Sequence, residues 1–197
     1  MLEIHDSVKF EIIAFYYGPK TNDEMSIRVS KSFNIFHNVN DLHDAEIAKL
    51  SRELNVDIAV DLNGHTARSR TGIFSYRAAP IQLSYIGYLG TMGAEYYDYL
   101  IADRTIIPAE FQTYYCEKIV YLPSYQVNDS TQQIPVDSFT RQDLNLPIDG
   151  FVYCCFNASY KITPSTFDGW MRILTSVPNS VLLLYASNQS VEENLKS

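Results

Sequence analysis

Residues 44–64 read DAEIAKLSRELNVDIAVDLNG, and this stretch predicts an α-helix that leads directly into a β-strand. In its first half Ile47, Leu50 and Leu54 recur at three- and four-residue spacing, which is the period of one helix face. We expect these three side chains to pack into the core, while the charged positions between them face water. The second half, VDIAVDLNG, is a short apolar run that ends in turn residues, as a buried strand does.

The alternation of helix and strand continues on both sides of this stretch. Further strand-like runs are KFEIIAFYYG, FNIFHNV, IQLSYIG, YDYLIAD and EKIVYLP, and DEMSIRVSKS is a further helical pattern. Strands that alternate with helices are typical of α/β proteins, in which crossover helices cover a mostly parallel sheet. The intervals between the last three strands leave little room for full helices, so we expect an irregular sheet edge there.

A polar segment divides the chain. Residues 124–150 read SYQVNDSTQQIPVDSFTRQDLNLPIDG, which lacks long apolar runs and is rich in turn-forming residues, as connections between domains are. After it a strand–helix–strand order begins again with GFVYCCFN, TPSTFDGWMRIL and SVLLLYAS. We therefore predict a first domain part at 1–123, a connection at 124–150 and the start of a second α/β domain at 151–197. Each domain is expected to have its own sheet.

The charge balance bears on the kind of partner. The 197 residues are 46% hydrophobic, and 15 Lys and Arg stand against 23 Asp and Glu, for a net charge of −8 without any basic run. Nucleic-acid-binding proteins present basic patches, so we expect no nucleic-acid partner. A ligand with one or two phosphates needs only a local cation or a helix N-terminus, so it stays compatible with this charge.

Cysteine usage and hydropathy bear on the compartment. Cys116, Cys154 and Cys155 provide neither a disulfide framework nor the spacing of a zinc site, so we expect no metal and a reducing environment. The first residues, MLEIHDSVKFEIIAFYY, lack the order of a signal peptide, and no apolar run reaches the roughly 18 residues of a membrane span. We predict a cytoplasmic protein without a membrane partner.

Two glycine-containing segments follow predicted strands. In IQLSYIGYLGTMG, Gly87, Gly90 and Gly93 recur every three residues, either to let backbone N–H groups approach a ligand or to permit positive φ in a turn. This spacing is not the dinucleotide fingerprint. In DLNGHTARSR, Asn63 and His65 follow a strand, at the sheet edge where α/β folds bind ligands, although a single histidine is more often structural or solvated.

The segment at 151–174, FVYCCFNASYKITPSTFDGWMRIL, places a lysine between a strand and a helix. Thr163 and Pro164 have the character of a helix start, so Lys161 lies just before a helix N-terminus. The ammonium group and the partial positive charge of the helix together suit an anion, and the alternative is a turn lysine that faces solvent. Phe167, Trp170 and Leu174 recur at helical spacing, which favours core packing over a stacking platform. 

Several separated blocks resemble one known family. Residues 56–103, 117–129 and 156–184, which include RAAPIQ, GYLGTMG and FNASYKITPSTFDGW, resemble in family order the catalytic region of O-GlcNAc transferase and SPINDLY-type glycosyltransferases, in a bacterial form. The resemblance implies a GT-B architecture of two Rossmann-like lobes with the active site between them, usually preceded by tetratricopeptide repeats. The chain would hold an incomplete first lobe, the interlobe connection and the opening β-α-β unit of the nucleotide-sugar-binding lobe.

The resemblance also implies a reaction and its partners. The resemblance implies an inverting transfer of a sugar, typically N-acetylglucosamine from UDP-GlcNAc, to a Ser or Thr hydroxyl of a protein, without a metal ion or cofactor. Lys161 matches the family lysine that binds the diphosphate, where it would stabilise the charge that develops on the leaving group. Ile86, Gly87 and Leu89 correspond to the loop that lies against the donor sugar. Further candidates for lining the cleft are Asn63, His65, Gly90 and Thr91.

Some positions depart from the family pattern. Leu89 stands where the family often has proline, Ala158 replaces a glutamine found beside the lysine in animal enzymes, and His65 is more often tyrosine. The donor preference and a direct role for His65 are therefore less firmly implied. We expect Gly87→Val in the complete protein to impair donor binding more than folding, because a side chain there would enter the space left for the sugar.

Other family segments are expected outside this sequence. The Asp-Phe-x-x-His-Pro-like opening of the first lobe should precede Met1, and the uridine-binding histidine and the phosphate loops should follow Ser197. We therefore expect the chain alone to be inactive, and its His5, His37 and His43 offer no general base with motif support. Two alternatives stay open, a non-catalytic module that binds a peptide or partner and a nucleotide-sugar enzyme of another type, such as an epimerase.

Overall fold

The computed structural model describes residues 2–19, 21–127, 132 and 138–196. The chain forms two compact units, residues 1–131 and 132–197. The boundary between them falls inside the segment predicted as the connection, of which residues 128–131 and 133–137 lie outside the described residues. The limits of that connection and its interlobe role stay predictions.

The first unit alternates strands and helices as the sequence predicts. Its strands are β1 (Ile13–Tyr16), β2 (Ile35–Asn38), β3 (Ile58–Asp61), β4 (Ile81–Ser84), β5 (Tyr99–Ala102) and β6 (Lys118–Tyr121). Its α-helices are α1 (Glu24–Ser30), α2 (Asp44–Glu53) and the single turn α3 (Gly72–Ser75), with 3-10 helices at Leu2–Ile4 and Ala109–Tyr114. The helical turn α3 and both 3-10 helices were not predicted, because each is too short to show a period in the sequence.

All described strand pairs are parallel, but they form more ladders than expected. In the first unit β1 pairs with β2, and a separate four-stranded sheet has the order β3-β4-β5-β6. The expectation of a single sheet over this region is therefore wrong for the described residues, since a strand's sequence does not specify its neighbour. Asp61 at the end of β3 lies opposite Ser84 at the end of β4, so the loops that follow these strands leave the same edge.

The core of the first unit lies between α2, α3 and one face of the larger sheet. Ile47 and Ala48 of α2 are buried there with Ile73 and Phe74 of α3. Leu50 is partly buried against this cluster and Leu54 is half-buried, so the predicted apolar stripe of α2 is confirmed, with Ile47 at its centre. Burial of one large apolar side chain stabilises a fold by about 1.5–3 kcal/mol, which is how these helices are held on the sheet.

The second unit is a β-α-β arrangement with an additional helix. It contains β7 (Val152–Cys155), a 3-10 turn at Ser159–Lys161, α4 (Pro164–Ser176), β8 (Val181–Leu184) and α5 (Gln189–Lys196). Strand β7 pairs in parallel with β8 and, within the described ranges, with no strand of the first unit. The strand, helix and strand predicted for this unit are thus confirmed as β7, α4 and β8, whereas the polar helix α5 was not predicted.

Side chains of the second unit are less enclosed than those of the first. None of the described residues from 138 to 196 is fully buried. Phe167, Trp170 and Leu174 are half-buried on α4, and the rings of Phe167 and Trp170 lie edge to face with centroids 6.4 Å apart. Their packing against each other agrees with the core interpretation. In neither unit does a described helix combine the length and the apolar character needed to cross a membrane.

Candidate functional site

The loops after β3 and β4 contain all of the sequence-predicted site residues of the first unit. Asn63, Gly64 and His65 follow β3, and residues 86–91 follow β4 at the same edge of the sheet. The edge at the carboxyl ends of parallel strands is where α/β proteins bind ligands. The contacts within these two loops determine what they can present to a ligand.

A buried aspartate organises the loop after β3. Asp61 is 4% exposed, and its Oδ1 accepts the N–H groups of Asn63 and Gly64, each at 2.9 Å. Its Oδ2 accepts the hydroxyl of Tyr97 at 2.6 Å. Burial, and next the hydrogen bond to Asp61, raise the pKa of Tyr97 well above its usual range, so this phenol stays protonated and keeps donating. Asp61 thus fixes the backbone that carries Asn63.

His65 and Asn63 both bond within the loop region itself. The Nε2 of His65 lies 3.0 Å from the Met92 carbonyl oxygen, and because a carbonyl only accepts, Nε2 carries the hydrogen in this contact. The ring of His65 also meets that of Tyr88 edge to face, with centroids 5.3 Å apart. The Oδ1 of Asn63 accepts the Thr66 hydroxyl at 2.7 Å. These bonds give both residues a structural role, and their place in a cleft stays a prediction.

The loop after β4 begins with a strained turn. Ile86 has φ = +65°, and the Gly87 N–H donates to the Tyr85 carbonyl oxygen at 2.9 Å, which makes a γ-turn centred on Ile86. This conformation is rare for a β-branched residue and costs on the order of 1–3 kcal/mol, and such strain clusters at functional sites. The glycine spacing pointed to this loop, but it did not indicate that the strained residue is an isoleucine.

Gly87 is required by close backbone contact between the two loops. A Cβ on Gly87 would overlap the carbonyl oxygen of Leu62 and lie 2.9 Å from that of Asn63. A side chain at this position would therefore meet the backbone of the loop after β3 and not open space. The reason given for expecting Gly87→Val to spare folding is wrong, because the substitution pushes the two loops apart.

A buried glutamate holds the far end of the loop after β4. Glu117 is 5% exposed, and its two carboxylate oxygens accept the Met92 N–H at 2.7 Å and the Thr91 hydroxyl at 2.8 Å. The Leu89 carbonyl oxygen accepts the Tyr115 hydroxyl at 3.2 Å, while the Leu89 side chain is exposed. Thr91 is thus a supporting residue of the loop, and Leu89 is the predicted donor-loop side chain that the loop presents outward.

The RAAPIQ block is a structural motif. The Arg77 guanidinium donates to both carboxylate oxygens of Asp98, at 2.7 and 2.9 Å, and to backbone carbonyl oxygens at Tyr96 and Pro80. These bonds join the segment before β4 to the residue just before β5. The block that is most recognisable in the sequence therefore fixes strand positions.

Gln82, the last residue of that block, is fully buried. Its side-chain amide donates to the carbonyl oxygens of Phe74 and Tyr96 at 2.9 and 2.7 Å, and its Oε1 accepts the Ala78 N–H at 2.7 Å. Without this amide the Ala78 N–H would lose its partner, whereas the carbonyl oxygens of Phe74 and Tyr96 also accept hydrogen bonds from the backbone and the guanidinium group of Arg77. Gln82 thus links β4 to α3 and to the segment before β5.

Lys161 lies in the second unit, in the 3-10 turn between β7 and α4. Its side chain is exposed, and its Nζ lies 6.0 Å from the centre of the Tyr160 ring. Within the part of the second unit that the structure describes, the ammonium group has no ion pair and no hydrogen bond. Helix α4 begins as predicted, because the Thr163 hydroxyl caps the Thr166 N–H at 3.3 Å and Pro164 takes the first helical position.

Lys161 lies three positions before Pro164, the first residue of α4. The amides at a helix N-terminus carry partial positive charge, and an unpaired ammonium group adds to it, which favours binding of an anion such as a diphosphate. Ala158, at the start of the 3-10 turn, contributes only a methyl group. The role of Lys161 in the site stays a prediction, as do the roles of Ile86, Gly87 and Leu89 toward a donor.

Potential metal ligands and thiols are dispersed. Among the residues that can be described, no three His, Cys, Asp or Glu side chains come together in a way that could hold a metal ion. Cys116 and Cys154 are exposed, Cys155 is half-buried, and all three are free thiols.

Comparison with known proteins identifies the family. The sequence pattern of glycosyl transferase family 41 matches residues 1–136 and 128–197, which together span the chain. The chain belongs to glycosyl transferase family 41. The resemblance inferred from the RAAPIQ, GYLGTMG and FNASYKITPSTFDGW blocks is therefore confirmed.

Curated plant proteins are among the relatives. The probable UDP-N-acetylglucosamine–peptide N-acetylglucosaminyltransferase SEC of Arabidopsis thaliana is 36% identical over 187 residues, which cover 92% of this chain and 19% of that protein. The protein of the same description named SPINDLY in Oryza sativa subsp. japonica is 34% identical over 187 residues, which cover 91% of this chain and 20% of that protein. The chain spans about a fifth of the length of these relatives.

A solved structure confirms the fold class. A lysine-to-methionine mutant of the O-GlcNAc transferase of Thermobaculum terrenum matches with a TM-score of 0.83 and 28% identity, over 98% of this chain and 36% of that one. The family 41 chain is thus an α/β protein with parallel sheets that corresponds to part of a GT-B catalytic region.

Proposed function

We propose that this family 41 chain is part of an inverting, metal-independent glycosyltransferase that moves N-acetylglucosamine from UDP-GlcNAc to Ser or Thr residues of proteins. Family membership and the activities in the names of its relatives support the reaction class. The observation that carries the mechanism is the position of Lys161, which has no ion pair among the described residues, just before the N-terminus of α4. The partners would be a UDP-sugar donor and a protein or peptide acceptor, with no cofactor.

Lys161 would act on the leaving group. In an inverting transfer the acceptor hydroxyl attacks the anomeric carbon from the face opposite UDP, and the bond from that carbon to the phosphate oxygen breaks. Negative charge then develops on the departing diphosphate, where the Lys161 ammonium group and the first amides of α4 would stabilise it. A charge-assisted bond of this kind contributes on the order of 2–4 kcal/mol in the transition state.

The loops of the first unit would contact the donor sugar and line the cleft. Ile86, Gly87 and Leu89 would lie against the sugar, and the fixed backbone of this loop suits positioning, since it is tied at both ends. The candidates for lining the cleft remain Asn63, His65, Gly90 and Thr91. His65 already donates through Nε2 to a carbonyl oxygen, so we assign it no part in proton transfer, and the general base is left unassigned.

The domain assignment belongs to the same proposal. Residues 1–123 would be part of the N-terminal catalytic lobe, 124–150 the connection between lobes and 151–197 the start of the nucleotide-sugar-binding lobe. We propose a cytoplasmic location with no nucleic-acid or membrane partner, which accords with three free thiols and a net charge of −8. The 197-residue chain alone would be inactive, because about four fifths of the length of its relatives is not represented in it.

Transfer of a labelled sugar tests the proposal. The full-length protein is incubated with a mixture of acceptor proteins and with labelled UDP-GlcNAc, UDP-glucose or GDP-fucose, each with EDTA or with magnesium. We expect label from UDP-GlcNAc on Ser or Thr, at the same rate in EDTA and in magnesium, and none with the 197-residue chain alone. Acceptor binding without transfer would favour the non-catalytic module, and release of an epimerised nucleotide sugar would favour an enzyme of another type.

A further inference from the structure

The γ-turn at Ile86 depends on its neighbours for its shape. A β-branched residue with φ = +65° persists in a loop only where the surrounding structure holds it. On one side Gly87 lies against the carbonyl groups of the loop after β3. On the other side the chain enters the turn through Tyr85, which is 5% exposed. The groups that fix Tyr85 therefore also fix the turn.

Tyr125 fixes Tyr85 from 40 residues further along the chain. The carbonyl oxygen of Tyr125 accepts the Tyr85 hydroxyl at 3.0 Å, and the two rings meet edge to face with centroids 5.4 Å apart. The Tyr125 N–H donates to the Asp103 Oδ2 at 2.8 Å. The other carboxylate oxygen of Asp103 accepts two backbone N–H groups, from Thr105 and Ile106. A continuous series of contacts thus runs from the turn after β5 to Tyr85.

The hydroxyl group of Tyr125 is not part of this series. Tyr125 is 3% exposed, and in the part of the chain that is described its Oη has no hydrogen-bond partner. Burial raises the pKa of Tyr125, and the backbone N–H of Ile86 lies close enough to lower it, but the two groups do not reach hydrogen-bonding geometry. The ring and the backbone of Tyr125 therefore provide the contacts that hold Tyr85.

We propose that Tyr125 is a positioning residue that holds the Ile86 γ-turn in the shape with which the loop meets the donor sugar. The inference rests on the proposed function, because it takes Ile86, Gly87 and Leu89 as the loop that contacts the sugar of UDP-GlcNAc. Without the Tyr125 ring the turn is free to relax toward negative φ, and the loop then fits the sugar less well. UDP has no sugar to contact this loop, so its affinity does not depend on Tyr125.

Three variants of the full-length protein test this inference. Tyr125→Leu removes the ring, Tyr125→Phe removes only the unpartnered hydroxyl, and Tyr121→Phe is a matched control whose hydroxyl bonds to Ile107 and Gln112. Binding of UDP-GlcNAc and of UDP is measured by calorimetric titration at a temperature at which every variant is folded, and the Tm of each is recorded.

We expect Tyr125→Leu to raise the Kd of UDP-GlcNAc about tenfold, equivalent to about 1.4 kcal/mol, and to leave the Kd of UDP unchanged. Tyr125→Phe should keep both affinities, and its Tm should not fall, since removal of an unsatisfied buried hydroxyl is not destabilising. Tyr121→Phe should lower Tm without changing either affinity.

Several results would overturn the inference. One is a Tyr125→Leu variant with a lower Tm and unchanged affinities, which would mean that Tyr125 serves folding alone. Others are equal weakening of UDP-GlcNAc and UDP by Tyr125→Leu, or a Tyr125→Phe variant that binds as weakly as Tyr125→Leu. A wild-type protein that binds neither UDP nor UDP-GlcNAc would contradict the proposed function itself, and the inference with it.

Discussion

The two units hold their candidate residues in different ways. In the first unit the loops after β3 and β4 are tied by buried groups, Asp61 beneath one loop and Glu117 at the end of the other. In the second unit Lys161 stands on an exposed turn, and none of the residues described from 138 to 196 is fully buried. Residues in the first unit therefore combine a folding role with any role toward a ligand, whereas the charge of Lys161 is separable from folding.

This difference determines how mutations should be interpreted. A change in the loop after β4 reaches the backbone of the neighbouring loop and the buried Glu117, so loss of activity there can follow from loss of structure. A change of the Lys161 ammonium group removes no observed contact other than that with the Tyr160 ring. Mutation of Lys161 in the second unit thus tests catalysis without a large change in stability, whereas mutations in the loops of the first unit test their contribution to stability.

The largest effect is expected from Lys161→Met, which keeps the aliphatic stem and removes the charge. In the full-length protein we expect the rate of sugar transfer to fall by roughly 10²–10³, as on loss of one preorganised electrostatic contact. The Tm should hardly change, since an exposed turn charge adds little to folding. Single-turnover kinetics and thermal unfolding provide the two measurements.

The matched control is Lys196→Met in the same unit. Lys196 is also exposed, but it pairs with Glu192 on α5 and not with a ligand. We expect this variant to transfer sugar at the wild-type rate. A Lys161→Met enzyme with near-normal turnover would identify Lys161 as a solvated turn residue. The proposed catalytic role of the second unit would then be wrong.

The next largest effect is expected in the first unit, from Gly87→Ala. The added Cβ overlaps the Leu62 carbonyl oxygen, so we expect a loss of about 3 kcal/mol in the free energy of unfolding, at the upper end of ordinary substitutions. The control is Gly93→Ala, where φ is +65° but nothing lies within 4 Å of the added Cβ, so only the strain of about 1–2 kcal/mol applies. Denaturant unfolding compares the two, and equal destabilisation would show that contact between the loops is unimportant.

The smallest effect concerns pH and Asp98. Burial of this carboxyl group opposes ionisation, but the Arg77 guanidinium, the Gln82 N–H and the charge of Lys118 outweigh it and hold the pKa below its usual value. A lowered pKa in the folded state stabilises the protein above the unfolded pKa of about 3.9, and this contribution is lost as pH falls through the folded pKa. We therefore expect Asp98→Asn to be less stable at neutral pH and to lose less stability than wild type on acidification below about pH 4.

A carboxylate of the second unit serves as the reference for this measurement. Asp143 also has a lowered pKa, but its carboxylate bonds to the hydroxyl and the N–H of Thr140, only three residues away. A local turn of this kind links few parts of the fold, so Asp143→Asn should alter the dependence of Tm on pH less than Asp98→Asn. Identical profiles for wild type and Asp98→Asn would mean that the Arg77 pair contributes nothing to stability.

Most helices and strands could be predicted from the sequence, because the patterns that indicate them involve residues close together in the chain. The apolar spacing of Ile47 and Leu50 predicted α2, and the Thr163–Pro164 pair predicted the start of α4. The division of the first unit into two ladders was missed, because pairing depends on contacts between strands and not on the composition of each one. Helix α5 was missed since it is polar and short.

The site was predictable only in part for the same reason. The glycine spacing identified the loop that contains Gly87, and strand ends identified the loop of Asn63. The sequence did not reveal Asp61, Glu117 or Tyr125 as supports, since each of them has a hydrogen bond to a residue about 25–40 positions away along the chain. A buried carboxylate that binds backbone N–H groups has no signature of its own in a single sequence.

The position of Trp170 on α4 has a practical consequence. It is the only tryptophan of the 197-residue sequence, and it lies half-buried in the second unit beside Phe167, whereas twelve of the fifteen tyrosines precede residue 132. Selective excitation of the indole thus makes the second unit the sole source of emission from this chain, and the near-ultraviolet dichroism of the phenols comes mainly from the first. The two signals allow the melting of each unit to be followed separately in one sample, without attaching a dye.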